Sequence, residues 1–398
     1  VIPPAEPRLP EPANASPDAG APGASLPAAT SWLSELRFPL ALWLSSRAAL
    51  MLFSWLSLWI EPRPSRPPPW QEAYLRPYPA IDGFCRWDCG WYLRIAQHGY
   101  REYVEANIWP LYPALARGFS ELTRVPLIPS LIIVANIASL VSFVVLYRLF
   151  RKLEDERAAQ WALGLFAAFP FAFFQSEAYP ESLLVLASAL AVLWALEGKP
   201  LRAGVALGLG ALARHLVILA GAALLVKQWR ERPSLRAFVC NRAFFGLVIP
   251  FLIVALYPLH LALVFHDPLA FWTSRQQGWG GVAWMSIFAP FLRWGQMTET
   301  PARYVAYPLF SLVPAAGALV LARQRRWELF AYAGVFLLVC WGIGAEALGR
   351  YCSVCWPAFL GLGAFVSRRP AWQLPLMLAL ALFQGLFFFL FIHNYPIV

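Results

Sequence analysis

Long apolar runs broken by short charged stretches recur from residue 36 to the end of the chain. A helix needs about 20 mostly apolar residues to cross a hydrocarbon core, and these runs are of that order. Nothing shows the short alternating segments of a membrane β-barrel. The pattern predicts spans over 36–60, 127–150, 158–174, 182–196, 242–265, 304–321, 329–344, 351–366 and 373–391. Residues 201–226 admit two readings. One long helix sends KQWRERPSLR outside, against the positive-inside rule. Two short helices around Arg214 and His215 keep both basic flanks inside, so a hairpin is expected, its tip in a cavity near the outer leaflet. The result is an all-α polytopic transmembrane helical bundle of about eleven helices. The basic loops (148–157, 199–202, 227–242, 323–326, 368–369) fall on one side, which puts the N-terminus inside and the C-terminus outside. No internal repeat supports an inverted-repeat transporter.

The loop from 61 to 126 is too long for a simple connection, and loops of that size are usually functional. It opens with the Pro-rich EPRPSRPPPW, which excludes helix. Beyond that, 87–98 places Trp87, Trp91, Arg94 and His98 at near-helical spacing, with Gly99 as a stop. Residues 109–122 place Leu111, Leu115, Phe119 and Leu122 on one face. Both suit amphipathic interfacial helices.

Composition agrees: 59% of the 398 residues are hydrophobic and 14% charged, against roughly a quarter charged in soluble domains. The net charge of +10 resides in loops, where it sets topology and meets anionic headgroups. There is no basic–aromatic module for nucleic acid. Residues 1–34, rich in Pro and Ala, read as a disordered cytoplasmic tail without a signal peptide. Residues 35–398 form the membrane domain. No DxD pair, HExxH or Gly-rich phosphate loop is present, so no metal or other cofactor is expected. Cys352 and Cys355 form a CxxC within an apolar helix, without the second ligand pair a zinc site needs. Cys85 and Cys89 could pair in an oxidising compartment, but a helix from Trp87 onward would strain the bridge, so free thiols are the favoured reading.

The densest chemistry lies in RWDCGWYLRIAQHGY, 86–100. Asp88 stands among Arg86, Trp87, Trp91, Tyr92, Arg94 and His98. A carboxylate at the membrane surface can take a proton from an acceptor hydroxyl during glycosyl transfer. A helix N-terminus would favour its anion, and N-capping alone is a competing role. Aromatic rings suit the C–H faces of a sugar and equally an interfacial belt. Glu181 precedes an apolar run, where a carboxylate is functional by default or caps the helix. Glu177 reads as a cap. Arg214, beside His215 at the hairpin tip, and Arg350, before Tyr351, offer guanidinium forks for a phosphate. Arg275 and His98 are weaker candidates for that role.

These motifs, in order, resemble the GPI mannosyltransferase 2 (PIG-V) family and its bacterial relatives, of the GT-C superfamily. The resemblance rests on RWDCGWYLRIAQHGY, WPLYP at 109–113 with Tyr112, SEAYPESL at 176–183, GLGALARH at 208–215 and GRY at 349–351. It implies a GT-C fold and an inverting mannosyltransferase acting on the non-cytoplasmic face of a plasma or endoplasmic-reticulum membrane. The donor would be a polyprenyl-phosphate-linked mannose and the acceptor a glycolipid or glycan. Asp88 would be the base, Glu181 a site residue, and Arg214 and Arg350 the phosphate partners. Cys89 after the aspartate and His215 after the arginine depart from the family pattern, and the composition suggests a bacterial relative. The alternatives are a transporter or flippase of lipid-linked sugars, a GT-C enzyme using another polyprenyl-phosphate sugar, and a non-catalytic scaffold, which retention of Asp88 argues against.

Overall fold

The structure, a computed structural model, describes residues 32–61, 78, 80–232, 234–278, 287–292, 305–344 and 347–395. It is all-helical among them. In chain order the helices are α1 (Trp32–Ile60), α2 (Cys89–His98), α3 (Leu111–Thr123), α4 (Leu127–Leu153), α5 (Glu156–Ala168), α6 (Glu181–Leu196), α7 (Pro200–Ala213) and α8 (Gly221–Glu231). There follow α9 (Arg242–Val254), α10 (Leu256–Phe265), α11 (Ala270–Gly278), α12 (Tyr307–Arg323), α13 (Trp327–Ile343), α14 (Leu348–Cys352), α15 (Trp356–Ser367) and α16 (Pro370–Ile392). Short helical turns lie at 235–239 and 289–292. Most of the expected tail and the Pro-rich segment lie outside the described residues.

Helix stands at every segment where a span was expected. By length and composition, four are long and apolar enough to cross a membrane: Glu35–Ile60, Leu127–Leu153, Arg242–Phe265 and Pro370–Ile392. Five more apolar helices are shorter. Trp55, Trp59, Phe251, Leu252 and Leu382 project large apolar side chains outward. With no water to drive that surface inward, it is the face of an integral membrane protein.

Inside, small residues let the helices approach. A Cβ on Gly204 of α7 would lie 2.4 Å from the carbonyl oxygen of Gly246 on α9. On Gly363 of α15 it would lie 2.6 Å from the carbonyl oxygen of Ala158 on α5. Such glycines replace the missing hydrophobic driving force with close backbone packing.

The expected hairpin is present. α7 ends at Arg214, whose backbone is extended (φ −155°, ψ 111°), a 3-10 turn covers His215–Ala220, and α8 returns. Four boundaries differ from expectation, one of them a break at Ala255 that parts the 242–265 span into α9 and α10. The 158–174 span is helical only to Ala168, then turns through Ala172–Gln175 in 3-10 form. The span expected from 351 is broken into α14 and α15, with Cys352 closing one and Cys355 capping the next. The helix expected from Trp87 starts at Cys89, because Trp87 takes a left-handed backbone (φ 51°).

That last shift corrects the cysteines. With the helix delayed, Cys85 and Cys89 come to a Cα separation of 5.3 Å and form a disulfide, well within bridging range. The apolar face expected on α3 points outward: Leu115 and Leu122 are exposed, while Tyr112, Pro113 and Ala116 turn inward.

Candidate active site

Four chain segments meet at one end of the bundle, each at a helix start or break: the start of α2, the start of α6, the end of α7, and α14. Each places an ion there. Asp88 occupies the N-cap position of α2, but its side chain caps nothing. Instead its Oδ2 accepts a hydrogen bond from Arg350 Nη1 at 2.8 Å. Arg350 Nε lies 3.3 Å from Glu181 Oε1, and Arg214 Nη2 lies 3.6 Å from the same oxygen. Glu181, the first residue of α6, thus binds two guanidinium groups at a helix N-terminus, where the peptide dipoles also favour an anion. Its carboxylate oxygens are buried and accept no hydrogen bond among the described residues.

Aromatic rings enclose these charges. Arg350 sits 5.3 Å from the ring of Tyr179 and 5.6 Å from that of Tyr351. Arg214 lies 5.3 Å from the Tyr351 ring and donates to Tyr351 Oη (3.2 Å) and Tyr92 Oη (3.4 Å). Cation–π contacts strengthen as water is withdrawn. Side-chain exposure falls from 19% at Asp88 to 6% at Arg350 and 1% at Glu181. The aspartate is therefore the most exposed of the cluster's members.

Tyr179 was not among the expected site residues, although SEAYPESL contains it. It is fully buried, its hydroxyl accepts from the Asp88 backbone N–H (3.0 Å), and it donates to the Arg86 carbonyl (3.1 Å). Burial, then the nearby Asp88 carboxylate, pushes the Tyr179 hydroxyl well up, so it remains a neutral donor. Burial likewise raises Tyr92, against the pull of Arg214.

The other expected residues separate into three places. Trp87, Trp91 and His98 line a recess of about 360 Å³ along α2, together with Gly90, Arg94 and Gln97. The Trp87 indole N–H is buried without a hydrogen-bond partner among the described residues. Tyr112 packs edge-on to Tyr92 (5.1 Å) and donates to the Leu131 carbonyl (2.9 Å), which makes it a scaffold contact. His215 is exposed and pairs with the Trp109 ring at 5.6 Å, beside the cluster rather than in it. Arg86 goes elsewhere. Fully buried, it pairs with Asp82 (3.0 Å) and donates to the Ile392 carbonyl (2.8 Å), tying the loop to the end of α16. Arg94 is held on the surface by Glu102 and by Glu105 (2.7 Å).

Glu177, expected to be a cap, is fully buried, and neither carboxylate oxygen accepts a hydrogen bond among the described residues. Burial drives its carboxyl well above the usual range, with Arg86 and Arg47 opposing.

Residues 108–257 match the family model for dolichyl-phosphate-mannose-protein mannosyltransferase. That stretch holds Glu181 and Arg214; Asp88 and Arg350 lie outside it. No curated protein matches. Solved structures of an oligosaccharyltransferase from Archaeoglobus fulgidus are similar to the chain. The complex with an inhibitory peptide and a dolichol-phosphate has a TM-score of 0.49 and 14% identity, covering 92% of this chain and 56% of that one. The complex with Zn and sulfate has a TM-score of 0.45 and 16% identity, covering 79% and 48%. The chain thus spans about half the length of those proteins.

Proposed function

We propose that the protein is an inverting glycosyltransferase of GT-C type. It moves a mannosyl residue from a polyprenyl-phosphate carrier to a lipid-linked or glycan acceptor on the non-cytoplasmic face. The observation behind this reading is the Asp88–Arg350–Glu181–Arg214 cluster, with its most open member a carboxylate. The match over residues 108–257 supports a lipid-phosphate donor and a mannosyl group, as does the motif resemblance to GPI mannosyltransferase 2.

The chemistry follows from charge. Asp88 removes the acceptor hydroxyl proton as oxygen attacks the anomeric carbon. The bond from that carbon to the phosphate oxygen breaks, and the lipid phosphate leaves with the electron pair and one more negative charge. In this reading Arg350 and Arg214 would meet that charge, and their buried surroundings would magnify its stabilisation. Trp87 and Trp91, with His98, border the recess beside Asp88 and would take a sugar face.

The test uses purified protein, labelled polyprenyl-phosphate-mannose and a panel of glycolipid, glycan and peptide acceptors, with mass analysis of products. Addition of one hexose to an acceptor supports the reading. Sugar crossing a vesicle membrane with no new glycosidic bond would identify a carrier instead.

A further inference from the structure

Resting on that reading, we propose that Arg350 is a mobile counter-charge that Asp88 gives up to the donor phosphate. Asp88 would then act as a base only after the donor has bound, and substrates would enter donor first.

Three observations on one guanidinium lead here. Nη1 is committed to Asp88 Oδ2 at 2.8 Å. Nε faces Glu181 Oε1 at 3.3 Å. Nη2 has no partner among the described residues. Arg350 thus has one nitrogen hydrogen-bonded to the base, one ion-paired with Glu181 without a hydrogen bond, and one open. A phosphate arriving at Nη2 competes with Asp88 for the same cation. Glu181 keeps the guanidinium from leaving with its new partner. Asp88 has its own open atom: Oδ1 accepts no hydrogen bond among the described residues, so it can receive a proton while Oδ2 still faces Arg350.

The reaction moves charge the same way. When Asp88 takes the acceptor proton, it loses its negative charge. When the bond to the carrier breaks, the phosphate gains one. Protonating a carboxylate that still holds a guanidinium breaks a charge-assisted pair, which raises the barrier. Sharing Arg350 with the phosphate removes that obstacle at the step where the phosphate needs the cation. Glu181 is a positioning residue in this scheme, since it acts through Arg350.

Carbodiimide reacts with a protonated carboxyl in a dry site, so it reports how firmly Asp88 is held as an ion pair. The measurement is modification of Asp88, by peptide mass spectrometry, on the full chain in detergent. Polyprenyl phosphate, which has no sugar to transfer, is present or absent. Modification is expected to rise about tenfold with the lipid phosphate, the factor that weakening the ion pair by about 1.4 kcal/mol would give. In Arg350→Gln it should be high with or without lipid. Unchanged or lower modification of the wild type at a lipid concentration that saturates binding by native mass spectrometry overturns the proposal, as does failure of the lipid phosphate to bind. The wild-type comparison needs no variant to fold. A transfer assay on the same preparation separates the two ideas: transfer with unchanged modification removes only the counter-charge scheme, whereas a lipid-dependent rise without transfer to any acceptor removes the glycosyltransferase reading.

Discussion

The two ends of α6 carry similar ions in opposite settings. At its start Glu181 joins Asp88, Arg350 and Arg214 under aromatic rings. At its end Leu196 borders a larger cavity of about 810 Å³, rimmed by Lys227, Arg230, Arg326, Glu231 and Glu328. There Arg230 and Glu328 pair at 2.7 Å with side chains 51% and 26% exposed, and Lys227 pairs with Glu231 one turn away. Partners are shared there too, since Glu231 binds both Lys227 and Arg232, but Glu231 and Arg232 stay 46% and 30% exposed. At the other end one arginine serves two acids, one acid serves two arginines, and the partners come from segments as far apart as Asp88 and Arg350. Cavity size does not pick out the site. What distinguishes the start of α6 is that its shared ion pairs are withdrawn from solvent, so a group there cannot change protonation without affecting its neighbours.

Removing an ion from each end makes the contrast measurable. Arg350→Gln leaves Asp88 without its guanidinium and Glu181 with Arg214 alone, and should lower stability by about 3–5 kcal/mol, read from thermal unfolding in detergent. Transfer activity should fall with it. The disulfide comes next. It closes the short loop that carries Trp87 and Asp88, and its removal in Cys85→Ser/Cys89→Ser should cost about 2 kcal/mol. Arg230→Gln, at the exposed end, should cost no more than about 1 kcal/mol and leave activity intact. An equal effect of the two arginine substitutions would erase the distinction between the ends.

Glu177 provides a smaller, pH-dependent test. Burial raises its carboxyl above the value it has in the unfolded chain. Its contribution to stability is therefore fully present below the unfolded pKa of about 4.3 and is lost as pH rises through the folded value. Glu177→Gln cannot ionise, so its thermal midpoint should decline less than the wild type's as pH increases above that point. Parallel curves would mean that Glu177 is ionised in the folded protein or solvated.

The helices were legible because apolar runs and basic flanks are local signals, and the break at Arg214 followed from the same charge rule. Each cluster member was recognisable singly: Asp88 by its aromatic and basic neighbours, Glu181 as a carboxylate before an apolar run, Arg214 among small apolar residues and Arg350 beside Tyr351. Their mutual pairing was not, since nothing in a local pattern relates Asp88 to Arg350. Arg86 misled for a related reason: adjacency to Asp88 suggested a shared site, but a left-handed Trp87 lies between them and sends Arg86 into the scaffold. The same turn hid the disulfide. Tyr179 lay in view two residues before Glu181, but only the fold brings its hydroxyl to the Asp88 backbone.

The most direct test of Asp88 as the base is the rate of transfer from labelled polyprenyl-phosphate-mannose by Asp88→Asn, alongside the wild type. Asparagine keeps the size and removes the proton acceptor. The rate should fall about 10²–10⁴-fold in a variant that elutes and binds lipid phosphate as a folded protein. Transfer by folded Asp88→Asn at the wild-type rate would contradict the account.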